Sequence, residues 1–182
     1  MKNYIPIIII VFLSLSFSVK DLLLDNYNMP VDEKTGKITY QQVINEQGKP
    51  DVLYDRAYAW AKKYFVNISS SVNVRNKEEG LISGATRFKV HTTDKKGVQV
   101  DAGVIIYDFS IELKENKFRI TETNFKQANN SGNAVEEWFD DTNEAAKPMH
   151  KEIFEQIDNE AKAMITSLVA GMKPTKESSD EW

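Results

Sequence analysis

The sequence predicts an α+β fold: an antiparallel sheet with helices packed on one face, in two layers. Three observations lead there. The middle of the chain is a run of segments in which apolar and polar residues alternate. Short turn sequences join these segments as hairpins would. Amphipathic helical patterns flank the run on both sides. Consecutive hairpins make antiparallel neighbours, and helices at the two ends have one sheet face to cover. The other face, polar by alternation, then stays open to solvent.

Residues 19–36 read as a lead-in segment. Leu22-Leu23-Leu24 are placed to pack on the domain edge, while Met29-Pro30-Val31-Asp32 and Thr35-Gly36 are turn chemistry. Ile38 to Ile44 is rich in Ile, Thr, Tyr and Val and reads as a strand that stops at Gln47-Gly48-Lys49-Pro50-Asp51. Pro50 suits the first turn of a helix, and Asp51 suits its positive end. From Leu53 to Phe65 the positions Tyr54, Ala57, Tyr58, Ala61 and Phe65 recur at helical spacing, with Asp55, Arg56, Lys62 and Lys63 opposite.

Ser70 to Arg75 is a short strand candidate, followed by a turn at Asn76 to Gly80. In Leu81 to Thr92, Ile82, Thr86, Phe88 and Val90 point one way and Ser83, Arg87, Lys89 and His91 the other. Asp94-Lys95-Lys96-Gly97 is a hairpin loop with glycine where a positive φ is needed. The next strand spans Val98 to Leu113. Ile105, Tyr107, Phe109, Ile111 and Leu113 form its apolar face, with Asp108, Ser110 and Glu112 opposed. Before Gly103 the apolar set changes parity, which predicts a bulge there. Glu115-Asn116 turns the chain. Lys117 to Phe125 returns with Phe118 and Ile120 inward and Arg119, Thr121 and Thr123 outward.

After a polar loop from Lys126 to Asn133, Val135 to Ala146 reads as a helix that Pro148 breaks. The last helix runs from about Met149 to Ala170, with Ile153, Ile157, Ala161, Met164, Ile165 and Leu168 on its apolar face and Gly171 as its stop. The expected organisation is therefore a leader at 1–18, the lead-in at 19–36, one α+β domain at 37–171 and a flexible tail at 172–182.

The leader is read from Lys2 as a minimal basic region, an apolar run from Ile5 to Leu15 and the small-x-small triplet Ser16-Phe17-Ser18. The run is shorter than the ~20 residues a membrane span needs. The expectation is an exported protein, periplasmic or secreted, with no transmembrane anchor after signal cleavage. The absence of cysteine excludes disulfides, thiolate metal sites and a lipidated cysteine. The net charge of −4 argues against a nucleic-acid partner, which calls for a basic footprint.

Several residues together carry a family resemblance. Met29-Pro30-Val31-Asp32, then Thr35-Gly36-Lys37-Ile38-Thr39-Tyr40, then Leu53-Tyr54-Asp55-Arg56-Ala57 with Trp60 and Phe65 resemble the opening of an exported bacterial family, domain of unknown function 4468. Phe118-Arg119-Ile120-Thr121 followed by Asn124-Phe125 looks like its closing hairpin. The resemblance covers roughly residues 29–125. It implies a signal peptide and a TBP-like fold, akin to the saddle of the TATA-binding protein. It carries over no catalytic residues, and the fold name does not bring DNA binding with it.

The motifs of common chemistries are missing. His91 and His150 are not at metal-ligand spacing and no HExxH pattern exists, so both read as ordinary surface or boundary histidines. Gly80-Leu81-Ile82-Ser83-Gly84 has one residue too many for a nucleophile elbow. Glu136, Glu137, Asp140, Asp141 and Glu144 are acidic enough to attract a divalent cation but lack calcium-loop spacing; Glu136, Asp140 and Glu144 read as one solvated helix face. Asp108 and Glu112 lie four apart on a strand face, about 13 Å by strand rise, too far for a glycosidase carboxylate pair.

No catalytic residue, cofactor or metal site is expected. The surface of interest is the open sheet face, where Arg87, Lys89, His91 and Arg119 stand beside Asp108, Ser110, Glu112, Thr121 and Thr123 without base-stacking aromatics. Trp60 falls off the main stripe of its helix, which makes it a candidate partner anchor; Trp138 and Phe139 read as core. The expected role is a non-catalytic binding or structural module whose partner is another envelope protein or an anionic glycan. The alternative is an envelope hydrolase with a carboxylate-based site.

Overall fold

The computed structural model describes residues 27, 29–129, 131–140 and 142–174. The expected leader, residues 19–26 and 28 of the lead-in (with the expected packing of Leu22-Leu23-Leu24) and residues 175–182 of the tail lie outside the described residues. Five strands form one antiparallel sheet, β1 (Tyr40–Asn45), β2 (Val72–Asn76), β3 (Leu81–Thr93), β4 (Gln99–Lys114) and β5 (Lys117–Gln127). Their order across the sheet is β1-β5-β4-β3-β2. The helices are α1 (Pro50–Tyr64), α2 (Ile68–Ser71) and α3 (Lys147–Gly171). The fold is the expected α+β arrangement, with α1 and α3 on the apolar face of the sheet.

Parity decides which face is covered. Ile105, Tyr107, Phe109, Ile111 and Leu113 of β4 are all buried, as are Phe118, Ile120 and Phe125 of β5 and Ile82 and Val90 of β3. They meet Leu53, Tyr54, Ala57 and Ala61 of α1 and Ile153, Phe154, Ile157, Ala161, Met164 and Leu168 of α3 in one continuous core. Fully burying each large apolar side chain contributes about 1.5–3 kcal/mol. Packing reaches past both ends of the 37–171 segment. Tyr27 lies 4.7 Å from the Phe154 ring, Met29 is buried, and Met172 is fully buried.

Turn chemistry behaves as the residues require. Asn116 closes the β4–β5 hairpin at φ 58°, and Gly103 takes φ 102°. At Gly103 the register shifts: Val90 pairs with Gly103 and His91 with Asp101, leaving Ala102 as the extra residue of the expected bulge. A second bulge lies in β5, where Asp108 pairs with Thr123 but Ile106 pairs with Lys126, and Asn124 adopts φ 58°.

Three local expectations change. The strand expected from Ser70 starts only at Val72, because Asn67 caps a short helix first, its Oδ1 accepting from the backbone N–H of Ser69 and Ser70 at 3.1 and 3.3 Å. The helix expected over 135–146 is a 3₁₀ segment, Val135–Asp140. Val135, Trp138 and Phe139 satisfy its single apolar contact with the core, and the Thr142-Asn143 region that follows is turn-forming. Trp60 is the third. It is 6% exposed, donates its indole N–H to Ser167 Oγ at 3.0 Å and packs on Gly171. It joins α1 to α3 and is no exposed anchor, because α3 covers a second stripe of α1 that the stripe facing the sheet does not include.

Gly84 of β3 marks the tightest approach. A Cβ there would stand 1.8 Å from the Ser71 carbonyl oxygen, where α2 passes into β2. Gly84→Ala is expected to destabilise the fold by more than about 2 kcal/mol, read as a lowered urea midpoint.

Candidate functional site

The uncovered face of the sheet is built by the odd residues of β1 and β3, the even residues of β4 and, in β5, the odd residues up to the bulge and Lys126 beyond it. Cross-strand register sorts it into rows. At one end Leu81, Glu112, Arg119 and Val43 stand side by side. Ser83, Ser110, Thr121 and Gln41 form the next row, then Ala85, Asp108 and Thr123. Beyond the β5 bulge come Arg87, Ile106 and Lys126, and last Lys89 opposite Val104.

The centre is a shallow depression of about 350 Å³ whose lining includes Asn73, Ser83, Asp108, Ser110, Thr121 and Thr123. Its depth follows from side-chain size, since short hydroxyl residues leave room above the backbone. Its polar groups are oriented. Gln41 Nε2 donates to Thr121 Oγ1 at 3.0 Å, and the Thr39 and Thr123 hydroxyls meet at 3.0 Å. Asn124 Nδ2 donates to Asp108 Oδ2 at 2.7 Å, and Lys37 Nζ donates to Asn124 Oδ1. The bulge at Asn124 thus turns its amide onto the open face, where it joins a carboxylate to an ammonium.

The expected site residues divide between the two ends. Arg119 is held by Glu112 in a two-pronged pair, with Nη2 2.6 Å from Oε2 and Nε 3.1 Å from Oε1. Both side chains are partly exposed, so the pair contributes at most about 1 kcal/mol. Arg87, Lys89 and Lys126 are exposed and form no ion pair among the described residues. His91 is exposed beside them on β3, and its backbone is gripped by α3: its N–H donates to Gln156 Oε1 at 3.0 Å, and its carbonyl accepts from Gln156 Nε2 at 2.7 Å. Trp60 lies on the other side of the sheet. His150, read as a surface or boundary histidine, is buried and stacks on Trp138 at 4.7 Å and 4°.

Among the described residues the acidic group around residue 140 does not converge, Asp141 lying outside them. Glu136 Oε1 accepts from the Ile38 N–H at 2.7 Å, Glu137 from Asn133 Nδ2, and Glu144 from Lys147 Nζ. The one helix face expected for Glu136 and Glu144 does not form, since the helix ends at Asp140. Asp108 and Glu112, the carboxylates of the hydrolase alternative, are each engaged by a different neighbour, Asn124 and Arg119.

Sequence reasoning passed over Glu122. It shares parity with Phe118 and Ile120 on β5 and so points into the core, fully buried, with neither carboxyl oxygen hydrogen-bonded. In the sheet it lies between Tyr40 and Phe109. Burial, reinforced by Glu160 of α3, pushes its carboxyl up to about 9. Tyr64 of α1 is pushed up to about 12 by burial and by the same two carboxyl groups. Tyr107 of β4 is raised by burial and by Glu122. Tyr40 is raised by burial and by Asp158, to which its hydroxyl donates at 3.0 Å. The signal in the sequence was its even position in a strand whose even residues face inward.

Residues 40–127 match the family described as "Domain of unknown function (DUF4468) with TBP-like fold". A crystal structure of a DUF4468 family protein from Bacteroides ovatus ATCC 8483 superposes with a TM-score of 0.61 at 13% identity, covering 85% of this chain and 97% of that one. A TBP-like protein from Parabacteroides distasonis ATCC 8503 gives a TM-score of 0.54 at 17% identity, covering 76% of this chain and 97% of that one. At these identities the likeness is one of fold. No curated protein matches the sequence.

Glu122 has a consequence for pH dependence. Below its ordinary value of 4.5 the carboxyl is protonated in both states. Between that value and about 9 the folded protein keeps the proton and the unfolded chain releases it. Stability attributable to this group therefore falls as pH rises, by up to about 1.4 kcal/mol per pH unit. Glu122→Met is expected to stabilise the protein by about 2 kcal/mol or more near pH 8. It is also expected to flatten the decline of Tm between pH 5 and pH 8.5, as followed by circular dichroism.

Proposed function

We propose, from the match of residues 40–127 to the DUF4468 family, that this chain is an exported envelope binding module whose open sheet face takes an anionic glycan. The observation that carries the reading is the pattern of that face. A depression of oriented hydroxyls lies next to three cations, Arg87, Lys89 and Lys126, that no described residue neutralises. A polysaccharide bearing acidic groups offers both what hydroxyls bind and what cations bind, at intervals along one chain. The face carries no aromatic side chain on which a base would stack, which favours a glycan over a nucleic acid.

The same face supports binding over hydrolysis, because Asp108 and Glu112 are tied to Asn124 and Arg119 and do not flank a common space. Export rests on Lys2, the apolar run Ile5 to Leu15 and Ser16-Phe17-Ser18. No helix among the described residues is long and apolar enough to cross a membrane.

Two measurements test this. N-terminal sequencing of the protein recovered from the envelope of its native cells is expected to begin at Val19; recovery with Met1 intact would remove export. The purified chain is expected to bind immobilised polygalacturonate over neutral dextran, more weakly as salt rises. The double variant R87E/K89E is expected to lose about tenfold or more in affinity, with an unchanged Tm. Equal binding to both polymers, or no effect of the charge reversals, would overturn the glycan reading. Retention of one defined envelope protein in place of the glycan would transfer the face to a protein partner.

A further inference from the structure

A sheet edge is a row of unpaired backbone donors and acceptors, and native proteins protect such rows. Among the described residues this sheet presents three open stretches and protects two. β2 is short, carries a bulge between Val72 and Val74, and has its Val72 carbonyl capped by Arg75 Nη2 at 3.2 Å. The end of β3 that extends beyond β2 is held by α3. Gln156 bonds both backbone groups of His91, and Glu152 Oε2 accepts from the Thr93 N–H at 2.7 Å.

β1 is different. Its sequence, Tyr-Gln-Gln-Val-Ile-Asn, has no charge, no proline and no glycine. It pairs with β5 on one side, and no described strand lies on the other. The Glu46 N–H donates to the Asn116 carbonyl and continues the β1–β5 register, so the even residues bond inward to β5. Gln41, Val43 and Asn45 therefore turn their N–H and C=O outward. The odd residue before them, Thr39, points the same way, and its N–H already donates to the Pro30 carbonyl at 2.8 Å. Of the described residues upstream of Pro30, Met29 is buried and Tyr27 packs against the Phe154 ring, so neither lies along this edge. Val43 is 59% exposed, an apolar side chain at the middle of the free row.

We propose that this edge pairs with the same edge of a second copy, antiparallel about a two-fold axis at Val43. In that register Val43 faces Val43 of the second copy, and Gln41 faces Asn45. The outward N–H and C=O groups of all three residues then find partners. The two valines cover each other, the amides of Gln41 and Asn45 meet, and no like charges are opposed. The one acidic group beside the row, Glu46, is buried and paired with Lys173 at 2.7 Å. The available row ends at Thr39 on one side and at the β1 terminus, Asn45, on the other, so it is symmetric about the proposed axis. The result joins two five-stranded sheets into one, with both open faces on the same side. A six-residue edge is small for a stable interface, so the association is concentration-dependent.

Because the chain has no cysteine, a single thiol reports the register. Directly opposed residues are about 5.5 Å apart at Cα, within disulfide range. Two Gln41 residues would be four strand positions apart, roughly 13 Å. Val43→Cys is expected to form a disulfide dimer under mild oxidation at least about tenfold faster than Gln41→Cys. Sedimentation of the purified chain from about 5 to about 500 µM is expected to show a monomer–dimer equilibrium, weakened about tenfold or more by Val43→Lys with an unchanged Tm. A monomer throughout that range would overturn the proposal. So would a dimer indifferent to Val43→Lys, or equal cross-linking of the two cysteine variants.

Discussion

The structure depends on one constraint: a sheet with a single apolar face has to be covered on that face and no other. Ile105, Tyr107, Phe109, Ile111 and Leu113 commit β4 to burial through strict alternation, and β3 and β5 follow by register. α1 and α3 then have to lie side by side beneath them, because neither alone spans five strands. Trp60 is where the two helices meet, its indole bonded to Ser167 and its ring against Gly171. The same constraint places Glu122. A residue with inward parity is buried whatever its charge, and its proton is the means by which the core tolerates it.

What the covered face fixes, the open face inherits in mirror image. Residues between the inward ones are mostly polar because water is their solvent, and cross-strand register gathers them into rows that no local spacing reveals. Arg119 and Glu112 are seven residues apart in the chain and joined in space by the β4–β5 hairpin. Asp108 and Asn124 meet because a bulge in β5 gives Asn124 a left-handed backbone. Arg87, Lys89 and Lys126 come together from strands whose pairing shifts at those bulges.

The edges show a parallel division. Side chains from α3 occupy the backbone of β3 where β2 has ended, and an arginine and a bulge blunt β2. β1 has no such device among the described residues. Edge protection is assembled from distant segments, so its presence at two stretches and absence at the third appear only once the chain is folded.

Much of the fold was legible because it rests on local physics. Alternation marked β3, β4 and β5, the spacing of Tyr54, Ala57 and Ala61 marked α1, and the parity change at Gly103 marked a bulge that is present. Asn116 and Gly97 marked turns by the backbone they tolerate. The misreadings occurred where two local preferences competed or where burial came from a remote element. Asn67 capped a helix in place of an early strand, 135–140 closed as a 3₁₀ segment, Trp60 was buried by a partner far along the chain, and His150 was covered by Trp138 of the neighbouring element. The sequence by itself determined which residues seek burial, because hydrophobic periodicity is a property of neighbours within a few positions. Only the tertiary structure decided which polar groups stand together and, among the described residues, which cations go unpaired and which edge stays open, because those depend on register between strands separated by tens of residues.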